Sequence, residues 1–219
     1  MPGQQPDPQL YVPRFNVMDA DDVRPFVAAV AAAQLVTVGA DGTPDATFLP
    51  VLWEDDRLVG HVARANAHWR RMVDGSPALA IVTGPDTYVS PSWYAAKAEH
   101  GRVVPTWDYV TVHVHGRLVV RDDPAFVEHV VRRLTAKHEA GRTDPWSVDD
   151  APPRFVAGQL RAIVGVEVQV TRIEAKAKLS QNRPDADVDG VVAGHLADGR
   201  PEVAEAVARA TGRGGTAGA

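Results

Sequence analysis

The chain has 219 residues, 45% of them hydrophobic, which suits one globular domain with a core of its own. No apolar run is long enough to span a membrane, and the absence of cysteine excludes disulfides, thiolate metal sites and cysteine nucleophiles. The net charge of -5 gives no support to DNA as a direct partner, because a protein that grips phosphates presents a basic patch, and here the arginines are scattered among acids.

The N-terminal MPGQQPDPQ lacks a basic region and an apolar stretch, so residues 1–9 read as a disordered tail rather than a signal peptide, and the expected location is cytoplasmic. Asp22 is placed to cap a helix with Val23, Phe26, Val27 and Val30 on one face, and Pro25 falls in its first turn. Gln34–Gly39 reads as a strand, Asp41-Gly42 as a hairpin turn, and Ala46–Trp53 as the returning strand. Asp55-Asp56 makes a second turn before the strand Arg57–Ala63. Asn66 then caps a short helix over Ala67–Val73, and Ala78–Thr83 is the next strand.

The stretch Tyr88–Tyr109 holds five aromatics together with a Lys-Ala-Glu-His cluster, too polar for core. Rings need burial or a flat partner, and the charges beside them need counter-groups. A ring-shaped ligand or a subunit interface would meet both demands. A strand over Thr111–Val120 follows, and Asp123-Pro124 opens a helix with the stripe Phe126, Val127, Val130, Val131 and Leu134. Pro152 and Pro153 start another helix running to Leu160, and Ala162–Ile173 is a last, β-branched strand. Beyond it KAKLSQNRPDADVDG reads as polar and turn-rich. A final Ala-rich helix spans Glu202–Ala210, and residues 212–219 form a disordered tail. Short antiparallel strands around one core with helices outside predict an α+β, β-rich small barrel.

Several positions carry candidate chemistry. His61 to Arg70 passes from a strand into a helix start, where backbone N–H groups favour an anion. Arg64 offers a fork for phosphate, Asn66 a donor, and His68 or Arg70 further charge. The alternative is that Asn66 merely caps and Arg64 pairs with an acid. His113 and His115 share one strand face, a spacing that suits a metal or a haem iron. His61 and His100 compete as an axial ligand, and ordinary hydrogen-bonded surface is the plain alternative. Within the aromatic stretch, Lys97, Glu99 and His100 are the candidate catalytic groups, with His100 able to transfer protons near neutrality. Trp107 offers a stacking face; these residues could equally knit two subunits. Lys176, Lys178, Ser180, Gln181, Asn182 and Arg183 form a polar cluster able to hydrogen-bond a ring edge or a phosphate tail. No nucleophile elbow, P-loop, GxGxxG or HExxH is present.

Four segments carry a family likeness: KAEHGRVVPTWDY ending at Tyr109, Leu58–Arg70 (LVGHVARANAHWR), Leu160–Glu167 (LRAIVGVE) and Lys178–Arg183 (KLSQNR). In this order they resemble the PaiB-like family, described as FMN-binding negative transcriptional regulators, over roughly Leu10 to Gly194. The resemblance implies an FMN-binding split β-barrel with peripheral helices over residues 10–195, and the Ala-rich pattern adds a C-terminal helix within 196–211. The resemblance also implies a homodimer with FMN at the subunit interface. Arg64, Asn66, His68 and Trp69 would lie towards the phosphate, and Trp107, Lys178, Ser180, Gln181 and Asn182 would contact the cofactor as well. It further implies a flavin-linked oxidoreductase or a cofactor-sensing regulator, with the small-molecule ligand left open. Two departures stand out: Phe48 replaces a histidine frequent in the family, and Ala177 replaces an aromatic. A piperazate synthase, which forms an N–N bond using haem b, looks like the same family, and His113 and His115 keep that alternative open. A DNA-binding repressor without catalysis is the third reading.

Overall fold

Two turns set the start of the barrel. Gly42, at φ 81°, occupies the left-handed region that glycine enters without strain, and Asp55 adopts φ 50° at the second turn. In the computed structural model, which describes residues 10–213, the chain begins with helix α1 (Ala20–Val30) and strands β1 (Ala32–Val38), β2 (Pro44–Glu54) and β3 (Arg57–Ala63). A short helix α2 (His68–Arg71), strand β4 (Pro77–Val89) and helix α3 (Ala96–His100) follow. Next come β5 (Thr106–Arg121), α4 (Pro124–Glu139), α5 (Pro153–Arg161), β6 (Ile163–Lys178), α6 (Asp185–Ala197) and α7 (Pro201–Ala210). The six strands close a barrel in the order β1-β2-β3-β6-β5-β4. β1 runs antiparallel to β2 with Ala32 opposite Pro50, and β3 runs antiparallel to β6 with Arg57 opposite Gln169.

The chain divides into two compact units, and β4, β5 and β6 each contribute residues to both. One unit comprises residues 24–82 and 113–173. Its core is aliphatic: Leu35, Leu49, Leu58, Val59, Val114, Leu118 and Val164 are all buried. Helix α4 lays Val130 and Leu134 against Leu52 and Val59. It starts where the sequence signals it, with the Asp123 carboxylate accepting from the backbone N–H of Ala125 and Phe126, and Pro124 in the first turn.

The other unit comprises, among described residues, 10–23, 83–112 and 174–213. Here Val89, Tyr94, Val110, Leu179, Val188, Val191, Val203 and Val207 are buried. Its helices differ from expectation. The turn-rich reading of residues 176–190 gives way to β6 continuing to Lys178 and to α6 from Asp185. The sequence hides α6 because the helix has no single apolar stripe: it buries Asp187 and His195 together with Val188 and Val191. Two of its glycines are packing devices. A Cβ at Gly190 would lie 1.9 Å from the carbonyl oxygen of Trp93, and one at Gly194 would lie 2.2 Å from the Trp93 ring. Strands β4 and β5 also reach further than expected, drawing Tyr88 and Thr106–Tyr109 into the sheet. At the last described residue, Arg213 donates to Asp189 and Asp185 at 2.6 and 2.8 Å. The rest of the two expected tails, residues 1–9 and 214–219, lies outside the described residues.

Gly190→Ala separates packing from propensity. Alanine in a helix interior is favoured over glycine by about 1 kcal/mol, whereas overpacking a tight contact costs about 1–3 kcal/mol. Because the obstacle is the Trp93 backbone, we expect a net lowering of the urea midpoint. A raised midpoint would mean that Trp93 does not abut α6.

Candidate functional site

The segment after β6 is built around a buried carboxylate. Asp108, on β5, has no exposure to water. Such a group must be met by donors. The Ser180 hydroxyl donates to it, 3.1 and 3.2 Å from its two oxygens, and His195 Nε2 on α6 lies 3.2 Å away. His195 is itself fully buried and its Nδ1 has no partner among the described residues, so the proton is assigned to Nε2, which faces the carboxylate. Ser180 takes a left-handed backbone conformation, φ 61°, unusual for a residue with a side chain. Gln181 braces the same turn, accepting from Leu179 N–H at 2.7 Å and donating to the Ala177 carbonyl at 2.6 Å.

This turn forms one side of a cleft of about 230 Å³. Lys176, Lys178, Ser180, Asn182, Arg183 and Thr106 line it on that side, and Tyr11, Pro13, Phe15 and Asn16 on the other. The N-terminal wall is tied down by a bridge between Val17 and Lys176 and by Leu10 N–H donating to Glu174 at 3.3 Å. Lys176 donates to the Tyr11 carbonyl at 2.8 Å, and its ammonium lies 5.6 and 5.3 Å from the Tyr11 and Tyr109 ring centroids. Lys178 donates to the Thr106 hydroxyl at 2.5 Å and to the Trp107 carbonyl at 2.6 Å. Arg183 stacks 4.4 Å from the centroid of the buried Tyr94 ring. Burial pushes the Lys178 ammonium below its ordinary range; the Asp108 charge opposes that shift, and Lys176 and Arg183 add to it. Burial pushes the Tyr94 phenol up. Tyr11 is 80% and Phe15 47% exposed, so the far wall presents uncovered rings. Three cations beside open aromatic faces can take an anionic, ring-bearing molecule.

The other residues singled out in the same unit lie apart from this cleft. Lys97, Glu99 and His100 are exposed on α3 and none lines it. Lys97 donates to the Ser92 hydroxyl at 3.0 Å, and His100 Nδ1 accepts from Arg102 N–H at 3.1 Å. Trp107, 48% exposed, donates to Asp86 at 2.8 Å and meets Tyr88 edge-on.

In the barrel unit, the junction from β3 to α2 is closely knit. Arg64 forms a two-pronged ion pair with Asp122 and also donates to the carbonyls of Arg161 and Ile163. Trp69 donates to the Arg64 carbonyl at 2.7 Å. Ala67, not Asn66 as expected, is the N-cap of α2; the Asn66 side chain accepts from His68 N–H at 3.0 Å just before it, and its amide donates to Thr47 at 3.1 Å. The buried His68 ring is held between the hydroxyls of Thr37 and Thr47, 2.8 and 2.7 Å away. Arg71 pairs with Asp41 and Asp45. His113 and His115, both partly buried, project from one face of β5 with ring centroids 6.3 Å apart. Phe48 is 67% exposed on β2.

Sequence reasoning missed Asp108, His195, Tyr11 and Asn16. The only available signal was Asp108 itself, a carboxylate set between Trp107 and Tyr109 in a strand, where an acid demands a partner.

Burial, opposed by Asp45 and assisted by Arg71, lowers the His68 pKa from its usual value. The unfolded chain therefore takes up a proton first as pH falls below about 6.5, and stability is lost from there down through the lower pKa of the folded state. His61, lowered by burial, adds to the trend. We expect the melting temperature to drop between pH 8 and pH 5.5, and to drop less in His68→Gln. An equal drop in the variant would remove His68 from the account.

Residues 10–172 match the family model described as "Putative FMN-binding domain". The chain is 33% identical over 188 residues to the "Protease synthase and sporulation protein PAI 2" of Bacillus subtilis (strain 168), which covers 84% of this chain and 87% of that protein. Among solved structures it superposes on the conserved hypothetical protein Rv2991 from Mycobacterium tuberculosis with a TM-score of 0.58 at 15% identity, covering 80% of this chain and 94% of that one. It superposes on the FAD and heme binding protein from Mycobacterium smegmatis with a TM-score of 0.57 at 19% identity, covering 83% and 80%. With the fold shared and the sequence match spanning most of its length, the chain belongs to the PaiB-like family of FMN-binding domains and has their split-barrel architecture.

Proposed function

We propose that the protein holds FMN between two copies of itself and serves flavin-linked redox chemistry or flavin sensing. In this reading the cleft beside β6 receives an electron-rich group of the cofactor. The observation that carries it is the convergence of Lys176, Lys178 and Arg183 on a cleft walled by exposed rings. FMN offers two matching groups, its phosphate and the oxygen-bearing edge of its ring, and bound flavin supplies electron and hydride transfer. The chain's own residues bind, orient and tune it.

Ligand pockets usually enclose about 300–1,000 Å³, so a cleft of about 230 Å³ is too small to surround a flavin nucleotide. That supports a site completed by a second copy. Lys97, Glu99, His100 and Trp107, exposed in one protomer, are proposed to face that copy or the flavin. Arg64, Asn66, His68 and Trp69 form a second group of proposed contacts. Arg64 is already paired with Asp122, so a phosphate reaching its fork would compete with that carboxylate. Direct reading of DNA is not part of the proposal, since a net charge of -5 disfavours it.

The test is a titration with FMN and with riboflavin, followed by absorbance and flavin fluorescence. We expect a two-banded flavin spectrum on the wild type and at least about tenfold weaker FMN binding in Lys178→Met and Arg183→Ala, a loss of about 1.4 kcal/mol. If riboflavin binding is spared, the cleft holds the phosphate; if it falls as much, the cleft holds the ring edge. FMN affinity unchanged in both variants would contradict the assignment. A Soret band abolished by His113→Ala or His115→Ala would turn the reading to haem b.

A further inference from the structure

We infer that Asp108 is a positioning residue of the cleft, acting through Ser180 and Lys178, and that the binding of an electron-rich ligand there depends on it. This rests on the proposal that the cleft receives such a group. Asp108 lies behind the cleft rather than in its lining, and it is completely buried. Its role is visible in what it holds. Ser180 would have little reason to adopt a left-handed conformation unless its hydroxyl were anchored, and the anchor is the Asp108 carboxylate. The same turn presents Asn182 and Arg183 to the cleft. On Asp108's own strand, the neighbouring Trp107 carbonyl and Thr106 hydroxyl accept from Lys178. His195 closes the arrangement from α6, and its ring is fixed in turn by an edge-on contact with Trp93 at 5.1 Å between centroids.

The charged groups acting on Lys178 are Asp108 from β5, Lys176 from β6 and Arg183 from the following turn. Asp108 alone among them favours the charged ammonium, which burial and the two cations oppose. The carboxylate therefore works against the loss of charge on the amine that an electron-rich ligand needs.

The two possible roles of this carboxylate predict opposite signs. As a bystander, a negative charge behind a site for an electron-rich group weakens binding, and Asp108→Asn should tighten it. As a positioning residue it must be retained, and Asp108→Asn should weaken FMN binding by about tenfold or more. The alkaline limb of the binding profile should also move to lower pH, because the Lys178 ammonium loses its stabilising neighbour. A purely structural role would lower the melting temperature without moving that limb.

The experiment measures FMN affinity against pH for wild type and Asp108→Asn. It also records the titration of the Lys178 resonance in reductively ¹³C-methylated protein without flavin. The inference predicts weaker binding and a Lys178 titration shifted to lower pH in the variant. Tighter or unchanged binding, or a Lys178 titration that does not move, would overturn it. If the wild type binds no FMN, the cofactor reading fails by itself, and the flavin-free titration still decides whether Asp108 controls Lys178. Should Asp108→Asn not fold, Ser180→Ala cuts the same link from the other side and is expected to weaken FMN binding too.

Discussion

A carboxylate that sees no water has to be surrounded by donors, and the groups that donate to Asp108 are the ones that shape the unit bearing the cleft. Ser180 is drawn into a strained turn, His195 is drawn inward from α6, and α6 can come close only because Gly190 and Gly194 leave room for Trp93. The cost of burying the charge is thus offset by hydrogen bonds from Ser180 and His195, and the first of these fixes the turn that carries Asn182 and Arg183 to the cleft.

The barrel unit follows a different logic. Its core is aliphatic, and at the junction from β3 to α2 arginines are matched by acids and His68 is gripped by two threonines. Electrostatically that junction is closed on itself. The described lining of the cleft beside β6 holds three cations and no acid, and this contrast is why it is preferred as the meeting place with the cofactor.

Much of the barrel is legible in the sequence because local chemistry dictates it. Asp41-Gly42 and Asp55-Asp56 are turns, Asp123-Pro124 is a cap, and the alternation between them is sheet. The motif KLSQNR likewise marks its cleft, for Lys178, Ser180, Asn182 and Arg183 all line it. Helix α6 is illegible because a helix gripped by glycines and carrying buried polar residues shows no stripe. The partnerships of Asp108 with His195, 87 residues apart, and of Arg64 with Asp122, 58 residues apart, are tertiary and leave no local trace. The second of these decides how open Arg64 is to a phosphate, the reading that the sequence alone favours.

The central claim is that the cations beside β6 meet the flavin. A crystal structure of the FMN-loaded protein tests it most directly. The account predicts a flavin oxygen or nitrogen within hydrogen-bond distance of Lys178 or Arg183, and aromatic side chains of the same cleft against the cofactor. A flavin bound wholly elsewhere, with those cations facing only solvent, would contradict it.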